Sequence, residues 1–257
     1  MATVKEIYNF IDKIAPFSAQ MSFDNAGFLV GHEQGPVHCV LCALDVTETV
    51  IEEAVALQAE LIVSHHPVIY SPYKAVTDQS RVGKLLLRLI ECGIAVISAH
   101  TNLDTSLGGV NDALAQKLEL QKISAFDPNG LGRIGCCKDG VPSDFSDFTA
   151  FVKAQLKVDA LRCYDAGHSV ERIAVLGGSG GEAVQKVAEM GCDTYITSDV
   201  KHSQYLEAVT FGVNLIDAGH FKTEDVVIPV LVQQLSEAFP VVQIFRSEAC
   251  TQPYLSY

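Results

Sequence analysis

Twice along this chain, short β-type runs alternate with helical ones, and that alternation limits the fold more than any other feature. The first series occupies 37–44, 48–58, 61–64, 82–92 and 94–98, and the second occupies 172–176, 181–190, 194–197, 202–209 and 213–216. Each reads as βαβαβ, which predicts parallel strands wrapped by helices. A displacement of 133 positions (173 less 40) lays 40–66 over 173–199 without a gap, so that Val40 meets Ile173 and Ser64 meets Thr197. The expectation is an α/β chain of two similar βαβ-type lobes built from an internal repeat, with mostly parallel sheets flanked by helices. The first lobe is expected over 1–120 and the second over 171–257. The stretch 121–170 has weaker periodicity, with turn signals at Pro128-Asn-Gly and Gly140-Val-Pro-Ser, and reads as a connecting strand-and-helix segment belonging to neither repeat.

Any two βαβ units resemble each other in their apolar pattern, but that does not explain a recurring pair of polar residues. Gly93-Ile-Ala-Val-Ile-Ser-Ala-His100 leads to Asp104, and Gly212-Val-Asn-Leu-Ile-Asp-Ala-Gly-His220 leads to Glu224, so each series closes on His-x-x-x-acid. His65 and His66 follow the run Leu61-Ile-Val-Ser. All six side chains therefore fall just past the carboxyl ends of predicted parallel strands, where ligand sites gather. Pro67 ends the strand after the tandem histidines, allowing both imidazoles to reach one cleft.

Exposed loop histidines are the plain alternative for His65 and His66, as a self-stabilising i, i+4 helix pair is for His220 with Glu224. The strand-end placement favours ligands. His65, His66, Asp104, His220 and Glu224 are accordingly expected to ligate metal, with His100 as a proton shuttle or a partner to the ligands. His202, with Asp199 and Lys201, is a weaker candidate for lining the cleft. His32, His38 and His168 lack an acidic or His partner at ligand spacing and read as ordinary polar residues. The run Gly177-Gly-Ser-Gly-Gly181 stands between a strand and a helix, where backbone N–H groups can cradle phosphate. It lacks the Lys of a P-loop and the G-x-G-x-x-G spacing.

Composition excludes several classes. Acids outnumber Lys and Arg 31 to 18, for a net charge of −13, which argues against a nucleic-acid groove. No window reaches ~18 consecutive apolar residues, and Lys5, Glu6, Asp12 and Lys13 interrupt the start where a signal peptide needs an unbroken apolar stretch. A cytoplasmic protein without a membrane partner is expected. The eight cysteines include Cys42, Cys92 and Cys192 inside or beside apolar runs, as reduced structural thiols would be. Cys39 and Cys42 lie three apart on one predicted strand and face opposite sides, which does not suit a zinc knuckle.

Four motifs carry a resemblance over nearly the whole chain. They are Phe23-Asp-Asn-Ala-Gly-Phe-Leu-Val-Gly31, Ser64-His-His-Pro67, Ala99-His-Thr-Asn-Leu-Asp104 and Asp217-Ala-Gly-His-Phe-Lys-Thr-Glu224. Together they are similar to those of the GTP cyclohydrolase I type 2 homologues, the Nif-three-like family. Phe23 departs from the Trp of many members, which puts no ligand in doubt. The resemblance implies a two-lobed α/β fold, a dinuclear metal site in the cleft between the lobes, and a ring-shaped homohexamer. It places the metal ligands on the five residues named above. Mixed His and carboxylate donors suit Zn, Fe, Mn or Ni. Two functions follow as expectations: a metal-dependent hydrolase acting on a nucleotide-like or phosphoester small molecule, or a non-enzymatic metal-binding adaptor or metal-handling protein.

Overall fold

Strand pairing, more than chain order, decides which segments of this chain fold together. The computed structural model describes residues 2–127 and 129–255. It divides into one unit of Met1–Leu107 with Ile228–Thr251 and another of Gly108–Val227 with Gln252–Tyr257. Met1, Ser256 and Tyr257, at the outer ends of the expected lobes, and Pro128 of the expected turn lie outside the described residues.

The first unit carries a five-stranded sheet in the order Gln243–Arg246, Cys39–Ala43, Leu61–Ser64, Ala95–Ser98, Gly27–Val30. The first four strands run parallel and the last antiparallel. Every residue of the three central strands is buried, as the unbroken apolar runs of a sheet covered on both faces require. The helices Glu48–Ala56 and Arg81–Cys92 start on side-chain caps, with Thr47 accepting from the Val50 amide and Ser80 from the Gly83 amide. Leu41, Ile51, Ile62, Leu89 and Val96 are fully buried members of the core that these elements enclose. Cys39 belongs to this core and Cys42 is fully buried, and all eight cysteines are free. Burial pushes the Cys42 thiol up to about 12, so it behaves as a small apolar side chain.

The second unit carries a six-stranded sheet in the order Leu120–Ala125, Arg133–Cys137, Arg172–Ser179, Thr194–Ser198, Asn214–Asp217, Arg162–Tyr164. Only its three middle-series strands, Arg172–Ser179, Thr194–Ser198 and Asn214–Asp217, are parallel to one another; the remaining pairings are antiparallel. Here the structure departs from the sequence expectation in two places. The stretch expected as a connector supplies three strands of this sheet. Two of them, Leu120–Ala125 and Arg162–Tyr164, are edge strands with mostly exposed or half-buried residues, so they lack the continuous apolar signature. At the other end, Ile228–Ala238 and Gln243–Arg246 belong with the first unit, because Gln243–Arg246 extends the sheet beside Cys39–Ala43. The fold is thus mixed α/β, with one mostly parallel and one mixed sheet. Among the described residues no helix is long and apolar enough to cross a membrane.

Candidate metal centre

In the first unit the ladder continues just past Ser64. The His65 and His66 amides donate to Ala43 and Leu44, at 3.1 and 2.9 Å, before Pro67 releases the chain. Ser64 Oγ donates to the His66 carbonyl at 2.9 Å and lies 2.8 Å from Ser98 Oγ, tying together the ends of two neighbouring strands. His65 is completely buried, and its Nδ1 lies 2.8 Å from the Ala99 carbonyl. A carbonyl only accepts, so Nδ1 carries the proton and Nε2 carries the lone pair. Nε2 lies 3.6 Å from Oδ1 of Asp104, itself buried in the short helix Thr101–Thr105.

The other two imidazoles are oriented in the same way by carboxylates. His66 Nδ1 lies 2.9 Å from Asp45 Oδ1, and His100 Nδ1 lies 2.7 Å from Asp24 Oδ1. Asp24 Oδ2 also accepts from the Thr101 amide at 3.0 Å and from Thr101 Oγ1 at 2.5 Å. Burial pushes the Asp24 carboxyl up, but the hydrogen bonds from His100 and Thr101, with the attraction of His100, outweigh it and hold it at about 2. The ring centroids of His65, His66 and His100 lie 5.0, 5.2 and 5.6 Å apart, and one ligand nitrogen of each falls within 4.8 Å of the others. This is a His group able to hold a metal ion. The structure brings His100 into it, whereas the sequence placed His100 beside the ligands.

The second unit prepares a His and a carboxylate with the same device. His220 and Glu224 open and close the helix His220–Glu224, and Nε2 of one lies 2.9 Å from Oε2 of the other. His220 Nδ1 lies 2.7 Å from Oδ2 of Asp199, a non-glycine residue at φ 54°. Glu224 is buried beneath the glycine run. A Cβ on Gly178, which has φ +69°, would stand 2.0 Å from Glu224 Oε1, so only glycine lets the backbone pass there. The pairing of Arg172–Ser179 with Thr194–Ser198 shifts register between Val175 and Ser179, which makes this passage a bulge beside the carboxylate.

That bulge settles the glycine run as well. The Gly177 amide donates to Asn111 Oδ1 at 2.9 Å and the Gly178 amide to Thr223 Oγ1 at 3.0 Å, so the first two N–H groups of the expected phosphate cradle are committed internally. The run gives Glu224 room. His202 is exposed at the start of the helix His202–Phe211. His38 pairs with Glu60 at 3.0 Å, His168 with the Gly212 carbonyl at 2.7 Å, and His32 is exposed, all as ordinary polar residues.

Sequence reasoning missed Asp24 and Asp45, and it left the part played by Asp199 open. The signal for Asp24 was its place in the Phe23-Asp-Asn motif; Asp45 and Asp199 each follow the end of a strand, and nothing in their spacing marks them. All four imidazoles are thereby held through Nδ1 by a carboxylate or carbonyl, the arrangement that fixes metal-binding histidines in the tautomer that offers Nε2.

Comparison with known proteins agrees over the whole length. Residues 2–253 match the family model described as Duf34/NIF3 (NGG1p interacting factor 3). A Lactococcus lactis protein named GTP cyclohydrolase 1 type 2 homolog is 34% identical over 248 residues, covering 95% of each chain. A Clostridium acetobutylicum protein of the same name is 32% identical over 243 residues, covering 91% of this chain and 90% of its own. The crystal structure of a Bacillus cereus protein related to NIF3 superposes with a TM-score of 0.94 at 25% identity, covering 100% of this chain and 99% of that one.

Proposed function

The chain belongs to the Duf34/NIF3 family, and from that premise we propose that it binds two divalent metal ions and hydrolyses a nucleotide-like or phosphoester small molecule in the cytoplasm. The observation that carries this reading is the common orientation of His65, His66 and His220, each held through Nδ1 so that Nε2 is the nitrogen presented to a metal. The donor set is nitrogen and carboxylate oxygen without thiolate, which fits Zn, Fe, Mn or Ni. His65, His66, Asp104, His220 and Glu224 are the proposed ligands. When bound, such ions supply Lewis acidity and an acidified water at neutral pH.

The chain's own residues do the remaining work. Asp104 and Glu224 are the donors with two oxygens, and two ions taking about three protein ligands each need one of the five to bridge. Glu224 has the longer stem and would supply carboxylate oxygens to both ions. His100 is held at Nδ1 by Asp24, so Nε2 is the atom that accepts or returns a proton. The relatives' name points to ring opening of a purine nucleotide as one reaction of this class. We propose also that the protein assembles as a homohexamer; light scattering at the mass of one chain would contradict this.

Turnover tests the proposal. Metal-loaded protein incubated with a panel of nucleotides and phosphoesters is expected to convert at least one of them, and His65→Ala to abolish the conversion. Full metal occupancy without turnover of any of them would favour a metal-binding adaptor.

A further inference from the structure

A run of cavities leads away from His66 within the first unit. The nearer one, of about 190 Å³, is lined by His66, Asp45, Tyr70, Tyr73 and Arg81, among others. The farther one, of about 520 Å³, is lined by Thr47, Glu48, Gln79, Ser80, Arg81 and Lys84, among others. Arg81 and Leu85 line both, so the Arg81 side chain stands where the two spaces meet. Two cations therefore border a space that begins at a candidate metal ligand.

The local charges favour an anion in the farther cavity. Thr47 and Ser80 are the N-caps of Glu48–Ala56 and Arg81–Cys92, so two helices of nine and twelve residues both begin at its wall, where partial positive charge accumulates. Among the described residues neither Arg81 nor Lys84 enters an ion pair, although Glu48 lines the same cavity. By contrast Arg88, on the same helix as both, is matched to Glu52 at 2.7 and 2.9 Å. Asp45, the acid of the nearer cavity, is held against His66. A guanidinium and an ammonium at a helix start are donors suited to phosphate oxygens. Tyr70 and Tyr73 supply aromatic walls on the way, and the Tyr70 ring centroid lies 6.4 Å from that of His100.

We infer that Arg81 and Lys84 form an anion-binding arm that takes the phosphate end of a phosphorylated, ring-bearing small molecule whose reacting end lies at His66. The inference rests on the proposed metal site. It makes Arg81 the specificity-determining residue, selecting phosphorylated over unphosphorylated forms of one ligand. The glycine run of the second unit has no part in it.

The test is calorimetric titration of the full-length, metal-loaded protein with guanosine monophosphate and with guanosine, with metal content measured on the same samples. The wild type is expected to bind the phosphorylated probe and to leave the nucleoside unbound. Arg81→Ala should weaken binding roughly ten- to hundredfold, as expected for loss of a charged hydrogen-bond donor. Lys84→Ala should weaken it less, and Arg81→Lys should recover part of the loss. Metal content and melting temperature should stay at wild-type values throughout. Equal affinity in wild type and Arg81→Ala, or no binding of the phosphorylated probe at millimolar concentration, would overturn the arm even with the metals in place. Arg81-dependent binding to a wild type devoid of metal would instead support the arm and refute the metal reading.

Discussion

The two sheets share a frame and differ in what they hang on it. In the first, Val40, Leu41 and Cys42 pair with Leu61, Ile62 and Val63; in the second, Ile173, Ala174 and Val175 pair with Thr194, Tyr195 and Ile196. Both strands are displaced by the same 133 positions (173 less 40, and 194 less 61). A carboxylate clamps the strand start in each. Glu60 Oε2 accepts from the His38 and Cys39 amides at 3.0 Å, and Asp193 Oδ2 accepts from the Glu171 and Arg172 amides at 3.1 and 2.6 Å. Beyond the strands the roles part. His65 and His66 follow Ser64, whereas Ser198 and Asp199 stand at the matching positions, and Asp199 orients His220. A shared frame fixes where side chains emerge. The residue placed there decides whether a position supplies a ligand or steadies one.

The largest expected effect breaks the likeness. Within the second unit Arg133 is buried, bonded to Asp112 at 2.6 and 2.9 Å and to the Gly130 and Gly132 carbonyls at 2.5 and 2.8 Å. Arg88 and Glu52 of the first unit make an exposed pair. Arg133→Met should cost about 3–5 kcal/mol, because it removes a buried guanidinium with all its hydrogen bonds and leaves the half-buried Asp112 without its cation. Arg88→Met should leave the urea midpoint unchanged. Equal midpoints for the two variants would show that burial does not separate these pairs.

A smaller effect sharpens the comparison at the ligand-bearing ends. If Asp45 and Asp199 steady His66 and His220 alike, alanine at either should lower metal affinity roughly 10- to 100-fold while leaving the fold intact. The check is a competition titration against a chelator, with circular dichroism as control. A change at only one of the two positions would break the parallel.

The smallest effect concerns the clamps. Glu60→Gln and Asp193→Asn should each cost about 1 kcal/mol at pH 7, less for the half-exposed Glu60. Burial pushes the Glu60 carboxyl up, but the His38 and Cys39 donors outweigh it and hold it below the ordinary glutamate value. The folded pKa is therefore depressed. The wild type's advantage over Glu60→Gln should be full above about pH 4.3 and fade as pH falls through the lower folded value. Denaturation midpoints across pH 3–7 check this, and an advantage that grew on acidification would contradict it.

How much was legible follows from which features repeat locally. The buried parallel strands announced themselves as unbroken apolar runs, and His65, His66, Asp104, His220 and Glu224 stood out because the strand ends and the four-residue spacing are local. The edge strands Leu120–Ala125 and Arg162–Tyr164 did not, because exposed strands carry no such run. Nor did the return of Gln243–Arg246 to the first sheet, since strand order depends on pairing between residues some 200 positions apart. Asp24 and Asp45 were hidden for the same reason. Asp24 reaches His100 across 76 positions and Asp45 reaches His66 across 21, distances over which no spacing rule operates. The glycine run was visible, but its purpose depended on Glu224 lying against it.

The central claim is that these side chains hold metal, and elemental analysis of purified protein tests it most directly. The wild type should carry about two divalent ions per chain, with about three protein contacts to each. His65→Ala and Glu224→Gln should fall well below one, Asp104→Asn should keep about one, and His100→Ala should stay near the wild-type content. Retention of wild-type metal content by both His65→Ala and Glu224→Gln would contradict the account.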